Sequence, residues 1–243
     1  MNGNQSIYGE EGIKSFMLIA GFQKTSFVDY PGQPCAVVFT PYCNLDCIYC
    51  HNAHILGREA PIMAEEPVLD YLEKRAGLLS AVTISGGEPT LQQNLEAFIE
   101  RVRSFGYLIK LDTNGTKPQT LLSLTNKALI DYIAMDVKAP AEKYCEIARA
   151  DVDMDAIRRS IAIIRNSGIT HEFRLTFSPQ LTQEDAIETA KLVKGCDRFY
   201  LQQYRPRNEG DPRAHAPAMV LKTGELIARE IGNCTVRGLG PEQ

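Results

Sequence analysis

The alternation of strand-like and helix-like segments is the feature of this sequence that most restricts its fold. Short apolar or β-rich runs recur six times, and helical periodicity appears between several of them. The runs are AVVFT (36–40), AVTIS (81–85), YLIKLD (107–112), YIAMDV (132–137), EFRLTF (172–177) and RFYLQQY (198–204). Strands that alternate with helices pair in parallel through crossover connections, so the pattern predicts an α/β sheet or barrel.

Helix boundaries can be predicted from apolar spacing and capping residues. Residues 67–79, 94–105 and 155–166 each place apolar side chains at helical spacing, and Gly106 suits the position after a helix end. The segment TQED (182–185) is typical of an N-cap that opens a further helix.

The length of 243 residues and the 44% hydrophobic content are enough for a sizeable core. We therefore expect one domain over residues 1–243. Within it, residues 1–34 form an N-terminal extension with a small hairpin or lid, residues 35–205 form the barrel, and residues 206–243 form a C-terminal loop and helix.

Composition limits the partners and the compartment. The formal net charge is -4, so no nucleic-acid partner is expected, and no run of about 18 apolar residues predicts a membrane span. The polar N-terminal residues do not resemble an export signal, and the seven cysteines are an odd number. We expect reduced thiols and a cytoplasmic protein.

Three cysteines, Cys43, Cys47 and Cys50, fall within the segment CNLDCIYCHN (43–52). Zinc with His51 as fourth ligand is one alternative, but neighbouring residues rarely close one tetrahedron, and structural zinc sites usually pair two separated ligand clusters. A 4Fe-4S cluster also needs thiolates, and three protein ligands leave one iron open to a small molecule. The other four cysteines stand alone, as is typical of buried packing residues.

Polar motifs follow four successive predicted strands. The cysteines follow AVVFT, GGEP (86–89) follows AVTIS, DTNG (112–115) closes YLIKLD, and Asp136 and Lys138 close YIAM. The carboxyl ends of parallel strands share one face of a β/α barrel, where such folds place their active sites. These motifs are therefore expected to form one site.

The spacing C-x3-C-x2-C, with Tyr49 before the third cysteine, resembles the signature of the radical S-adenosylmethionine (SAM) superfamily, and GGEP strengthens the match. GFQKTSFVDYPG, YCHN and DTNGT resemble more narrowly the glycyl-radical-enzyme activating proteins, above all the activators of anaerobic ribonucleoside-triphosphate reductase. The resemblance covers most of residues 20–140 and implies a partial (β/α)6 TIM-like barrel of the radical SAM type.

The resemblance also implies residue roles. Cys43, Cys47 and Cys50 would bind three irons of a 4Fe-4S cluster. Tyr49 and His51 would lie beside the adenine of S-adenosylmethionine, and Lys138 would also contact this ligand. The carbonyls of Gly86 and Gly87 would receive the methionyl amine, with Glu88 close to it. Asp112, Thr113 and Asp136 would surround a monovalent cation near the ligand carboxylate. Asn114 is grouped with them, although a turn role is its alternative. For the ribose, Arg174, Gln203 and Arg205 are the alternatives.

For function, the resemblance implies reductive cleavage of S-adenosylmethionine and removal of a glycine hydrogen from a partner protein, a glycyl radical enzyme. The implied electron donor is flavodoxin-like or ferredoxin-like. The alternative is a radical SAM enzyme that acts on a small molecule or on RNA. An iron–sulfur carrier or regulator without turnover is disfavoured, because it would not use GGEP or an open iron.

Overall fold

One eight-stranded sheet organises the molecule, and each strand in it neighbours the next one along the chain. The structure, a computed structural model, describes residues 16–57, 59–206 and 213–239. The strands are β1 (Gly21–Ser26), β2 (Cys35–Thr40), β3 (Ala81–Gly86), β4 (Leu108–Thr113), β5 (Tyr132–Asp136), β6 (Thr170–Phe177), β7 (Phe199–Gln203) and β8 (Thr235–Arg237).

Helices occupy the connections between these strands. They are α1 (Glu66–Arg75), α2 (Leu95–Ser104), α3 (Pro118–Asn126), α4 (Tyr144–Ala148), α5 (Met154–Asn166), α6 (Gln183–Lys191) and α7 (Pro217–Ile231). The expected end signals are present: Gly106 follows α2 with φ at +92°, and Thr182 and Asp185 form a reciprocal capping box on α6.

Pairing is parallel from β2 through β8, whereas β1 runs antiparallel to β2. Within the described residues, no hydrogen-bonded pairing joins β1 to β8, so the sheet is not closed by hydrogen bonds. The prediction of a partial (β/α) barrel is confirmed, with β2–β7 at the six predicted runs.

Three details differ from the sequence predictions. The N-terminal segment forms its hairpin with the first barrel strand itself, through β1 and β2. The strand β8 and the helices α3 and α4 were not predicted. Helix α1 ends at Arg75, before residue 79, because Ala76 is extended and Gly77 has φ at +80°. The predicted domain boundaries fall partly on residues 1–15, 207–212 and 240–243, which lie outside the described residues.

The two faces of the sheet have different neighbours. Successive side chains along a strand point to opposite faces. On the outer face, apolar side chains pack against the helices in the main hydrophobic core; among them are Val82, Ile84, Ile109, Leu111, Ile133 and Met135. The inner face carries a small apolar cluster near the amino ends of the strands, built around Tyr30, Cys35 and Tyr132. Nearer the carboxyl ends, the inner face is polar.

Candidate active site

The loop after β2 carries the three cysteines at the carboxyl end of the sheet. Cys43, Cys47 and Cys50 are all partly buried. The loop is anchored to α4, because the Asp46 N–H donates to the Ala148 carbonyl (2.9 Å) and the Ile48 N–H donates to the Ile147 carbonyl (3.3 Å). These main-chain bonds hold the three thiols on one short, fixed segment.

Burial decides the protonation of the thiols. It raises the pKa of Cys43 to about 11 and also raises the pKa of Cys47. The Leu45 N–H lowers the pKa of Cys43, and the Lys138 ammonium lowers both, but neither effect outweighs burial. Both thiols therefore keep their protons at neutral pH until a metal displaces them.

The two glycines after β3 pack against the backbone that leads into the cysteine loop. A Cβ on Gly87 would lie 1.9 Å from the Tyr42 carbonyl oxygen, and a Cβ on Gly86, whose φ is +110°, would lie 2.5 Å from the Thr40 nitrogen. The Gly87 N–H donates to the Thr40 carbonyl, and the Glu88 N–H donates to the Tyr42 carbonyl, both at 2.8 Å. The resemblance implies one reason for glycine here, which is that the two carbonyls receive a ligand amine. The structure gives a different one, the close packing of two chain segments.

The carbonyl of Gly86 also has a partner that was not predicted. Asn52, in the YCHN segment, donates its side-chain amide to this oxygen at 2.9 Å. A carbonyl oxygen has two lone pairs, so a second donor can still be accepted. The role of the Gly86 and Gly87 carbonyls toward a ligand amine stays a prediction.

Glu88 is fully buried and ties the turn after β3 to the turn after β4. One carboxylate oxygen accepts from the Thr113 hydroxyl (2.8 Å) and the Thr90 N–H (3.1 Å), and the other accepts from the Asn114 N–H (2.6 Å). Burial raises the pKa of Glu88, although these donors favour the ionised form. Glu88 thus fixes the relative position of two turns that line the site.

Arg174 lies at the centre of a charged network on the inner face. Its Nε is 2.7 Å from Asp136 Oδ1, and its Nη1 is 3.5 Å from Asp112 Oδ1. Lys138 Nζ lies 2.9 Å from Asp136 Oδ2, and Lys110 Nζ lies 2.5 Å from Asp112 Oδ1. Burial alone would raise the pKa of both carboxyls, but the neighbouring cations hold both pKa values below the usual range. Both carboxylates are therefore ionised.

This pairing bears on the predicted monovalent cation. Asp112 and Asp136 already face three cationic side chains, and the Thr113 hydroxyl donates to Glu88. The carboxylates are thus neutralised by the protein itself. A monovalent cation at this position stays a prediction.

Tyr49 and His51 flank the third cysteine and differ in exposure. Tyr49 is buried, its hydroxyl has no hydrogen-bond partner in the described part of the chain, and Lys138 Nζ lies 5.8 Å from its ring centroid. Burial works against the Lys138 ammonium, but Asp136 outweighs it and raises the pKa of Lys138. His51 is exposed. The site therefore has one closed aromatic wall and one open side.

A single cleft collects fourteen of the predicted site residues. It encloses about 870 Å³ of empty space, including the part that opens to solvent. The predicted residues on its wall are Cys43, Cys47, Tyr49, Cys50, His51, Gly86, Gly87, Glu88, Asp112, Thr113, Asn114, Asp136, Lys138 and Arg174. All of them line this one cleft, and their roles toward a cluster or a ligand stay predictions.

The cleft also contains residues that were not predicted. Leu45, Asn52, Leu56, Ser85 and Thr176 complete its wall. The alternation of side chains along β3 could have predicted Ser85 on the inner face. Its hydroxyl donates to Asp112 on the next strand at 3.0 Å.

Two of the ribose alternatives have other partners. Gln203 donates to the His215 carbonyl and Arg205 to the Gly238 carbonyl, so neither lines the cleft. Arg174 is the alternative that does.

The chemistry of the cleft suits a cluster and a polar ligand. Three thiols on one loop face a space bordered by paired charges and by Tyr49, whose buried hydroxyl has no hydrogen-bond partner among the described residues. Among the described residues, no group of three His, Cys, Asp or Glu side chains could hold a single metal ion. A 4Fe-4S cluster does not require such a group, because each thiolate binds a different iron.

A comparison with protein families shows to which superfamily this cleft belongs. The model of the radical SAM superfamily matches residues 37–193, which include every residue of the cleft wall. The chain belongs to the radical SAM superfamily. Radical SAM enzymes use a 4Fe-4S cluster and S-adenosylmethionine, so this chain is an enzyme that uses both.

Two relatives show how far the similarity extends. A protein of Methanocaldococcus jannaschii, provisionally named a glycyl-radical enzyme activating enzyme, is 34% identical over 234 residues, which cover 90% of this chain and 95% of the relative. The 7-carboxy-7-deazaguanine synthase of Koribacter versatilis is 30% identical over 167 residues, which cover 66% of this chain and 69% of the synthase.

Solved structures share the fold. SuiB of Streptococcus suis bound to S-adenosylmethionine matches with a TM-score of 0.66 at 17% identity, over 83% of this chain and 52% of SuiB, so the chain spans about half of SuiB. A domain of the pyruvate-formate lyase-activating enzyme of Bacteroides vulgatus matches with a TM-score of 0.54 at 16% identity, over 65% of this chain and 99% of the domain.

In the described residues, no helix is both long and apolar enough to span a bilayer.

Proposed function

We propose that this radical SAM enzyme activates a glycyl radical enzyme by removing a hydrogen atom from a glycine of that partner protein. The observation that carries the proposal is the 34% identity to the Methanocaldococcus jannaschii protein provisionally named a glycyl-radical enzyme activating enzyme, over 95% of that protein. Because the match extends over nearly the whole of both chains, it includes the parts outside the shared cofactor site.

The residues of the cleft fit this proposal. Cys43, Cys47 and Cys50 would hold the cluster, and the carbonyls of Gly86 and Gly87 would receive the amine of S-adenosylmethionine. Arg174 would bind the ligand at the inner end of the cleft, where its charge is balanced by Asp112 and Asp136. When bound, the cluster and S-adenosylmethionine supply one-electron cleavage of a carbon–sulfur bond and abstraction of a hydrogen atom.

The open barrel supports a protein substrate. A glycine loop several residues long must enter the cleft, and the sheet is not closed by hydrogen bonds between β1 and β8 in the described residues. The partner would complete the wall of the site and exclude water. We also propose that residues 1–243 form one radical SAM domain that works in the cytoplasm.

For the partner, we propose anaerobic ribonucleoside-triphosphate reductase. The motifs GFQKTSFVDYPG, YCHN and DTNGT support this choice over other glycyl radical enzymes. We propose a flavodoxin-like or ferredoxin-like protein as the electron donor.

The test is the glycyl radical itself. Anaerobically reconstituted enzyme, S-adenosylmethionine and a reductant are mixed with the reductase from the same cell, and the sample is examined by electron paramagnetic resonance. We expect a doublet from the one remaining α-hydrogen. The doublet should be absent when the target glycine is replaced by alanine or when the activator carries Cys47→Ala, and present when it carries Cys145→Ala, since Cys145 is an exposed cysteine outside the cleft.

A second candidate is a radical SAM enzyme that acts on a small molecule. The match to the synthase of Koribacter versatilis over 66% of this chain favours it. If no glycyl radical enzyme of the same cell gives the doublet, while a purine-like metabolite stimulates cleavage of S-adenosylmethionine, the activating function is wrong and this second function replaces it.

A further inference from the structure

The side chain of Asn114 contacts a cluster ligand. Its Nδ2 lies 3.6 Å from Cys43 Sγ, within the range of an N–H···S hydrogen bond, and the Leu45 N–H reaches the same sulfur at 3.4 Å. Asn114 is 6% exposed, so water competes little for this amide. Cys43 therefore receives two N–H donors, one from the main chain and one from a side chain.

Hydrogen bonds to the other end of the Asn114 amide settle its orientation. The Thr116 N–H, which can only donate, lies 3.0 Å from Asn114 Oδ1, and the Thr116 hydroxyl donates to the same oxygen at 2.7 Å. Because this end of the amide must be the acceptor, the opposite end, which faces Cys43, must be the NH₂ group.

The position of Asn114 is fixed from two further directions. Its main-chain N–H donates to Glu88 at 2.6 Å, and its Nδ2 also lies 3.1 Å from Asn44 Oδ1. Glu88 of the GGEP motif is thus connected to the first cysteine through one residue. Through this connection, Glu88 holds the main chain of Asn114 and Asn114 contacts Cys43, which are roles apart from contact with S-adenosylmethionine.

We propose that Asn114 is a positioning residue that donates an N–H···S hydrogen bond to the Cys43 thiolate of the bound cluster and raises the reduction potential of the cluster. This inference rests on cluster binding by the three cysteines, which is part of the proposed function. Reduction adds negative charge to the cluster and its sulfur ligands, and a hydrogen-bond donor stabilises the more negative state. The donor therefore favours entry of the electron.

The test is a redox titration of the reconstituted enzyme alone, followed by electron paramagnetic resonance of the reduced cluster. In Asn114→Ala we expect a full cluster by iron and sulfide analysis and a midpoint potential shifted to more negative values. A roughly tenfold weaker reduction equilibrium corresponds to about 59 mV for a one-electron couple. Asn114→Asp keeps the acceptor for Thr116 but removes the donor and adds a negative charge beside the thiolate, so its shift should be larger.

The matched control is Asn44→Ala, which removes the neighbour of the Asn114 amide but leaves its donor to Cys43 in place. Its midpoint potential should stay at the wild-type value. An unchanged potential in a fully loaded Asn114→Ala enzyme overturns the proposal. If Asn114→Ala fails to hold a cluster, the isosteric Asn114→Asp decides, and loss of the cluster or an unchanged potential in that variant also overturns it.

These outcomes are independent of the partner enzyme. The potential is measured without a glycyl radical enzyme, so a failed activation assay leaves the result on Asn114 intact. Conversely, an unchanged potential leaves the activating function standing.

Discussion

On the outer side of β3, β4 and β5, the buried side chains are Val82, Ile84, Ile109, Leu111, Ile133 and Met135, whereas the inner side of the same strands ends in Ser85, Asp112 and Asp136. The outer side chains pack against helices, and their contribution to stability is burial of apolar surface. The inner side chains pair with one another and with Arg174, Lys110 and Lys138.

This difference shows that one face of the sheet mainly stabilises the fold, whereas the other face mainly carries the polar groups of the site. The apolar face tolerates changes of shape within limits of volume, because apolar contacts are not directional. The polar face depends on partners at fixed distances, because a buried charge that loses its partner is strongly destabilising. Substitutions on the two faces should therefore fail in different ways.

The largest effect is expected at Gly87, where the polar face meets the cysteine loop. In Gly87→Ala the new Cβ would lie 1.9 Å from the Tyr42 carbonyl oxygen, so the loop backbone must move. We expect almost complete loss of cluster iron, and with it loss of S-adenosylmethionine binding, measured by iron analysis and calorimetry. Gly57→Ala is the control, because a Cβ there meets nothing within 4 Å. A full cluster in Gly87→Ala would contradict this prediction, because it would show that the cysteine loop can move without losing cluster iron.

A smaller effect is expected at Arg174. Arg174→Leu removes the cation that Asp112 and Asp136 share, while Lys110 and Lys138 remain beside them. We expect the free energy of unfolding at pH 7 to fall by about 1.5–3 kcal/mol, as for the loss of a hydrogen bond to a charged group. The affinity for S-adenosylmethionine should also fall. Urea unfolding and calorimetry measure the two quantities.

The pH dependence of this loss has a defined sign. Both carboxyl pKa values are lowered in the folded protein, so their pairing stabilises the fold above the ordinary aspartate pKa of about 3.9, and the stabilisation is lost as pH falls through the lowered values. The deficit of Arg174→Leu should therefore be smaller at pH 3, below the ordinary aspartate pKa, than at pH 7. Lys127→Met, which removes an exposed pair with Glu96, is the control and should not move the urea midpoint. An equal deficit at both pH values would contradict the role assigned to the carboxylates.

The smallest effect on the site is expected from the apolar face. Ile84→Ala removes a fully buried side chain, and we expect a loss of about 2–5 kcal/mol in the free energy of unfolding. Iron content and S-adenosylmethionine affinity per folded chain should stay at wild-type values. A marked fall in either would mean that the two faces are coupled through β3.

The same division explains what could be predicted from the sequence. The apolar face repeats along each strand, so local periodicity predicted β2–β7, and the motifs at the strand ends predicted the cleft. The Arg174–Asp136 pair joins residues that lie 38 positions apart in the sequence, and a local pattern of a few residues cannot predict a contact at that separation. The glycines illustrate the same limit, since the residues they pack against belong to another loop. The three-residue β8 was missed because it is too short for a periodic signal.

An open barrel also has a cost that a closed barrel avoids. A closed barrel has no free strand edge, whereas in the part of the chain that the structure describes β1 and β8 each pair on one side only and present an edge on which another copy of the chain could pair. Both edges carry features that oppose such pairing. The ladder between β1 and β2 is irregular between Gln23 and Ser26, and β1 carries the exposed Lys24. At the other edge, β8 is only three residues long and ends in Arg237, whose guanidinium lies 3.1 Å from the Tyr200 ring centroid. A sheet that is not closed by hydrogen bonds between β1 and β8 thus carries, on both of these strands, features that oppose pairing with another sheet.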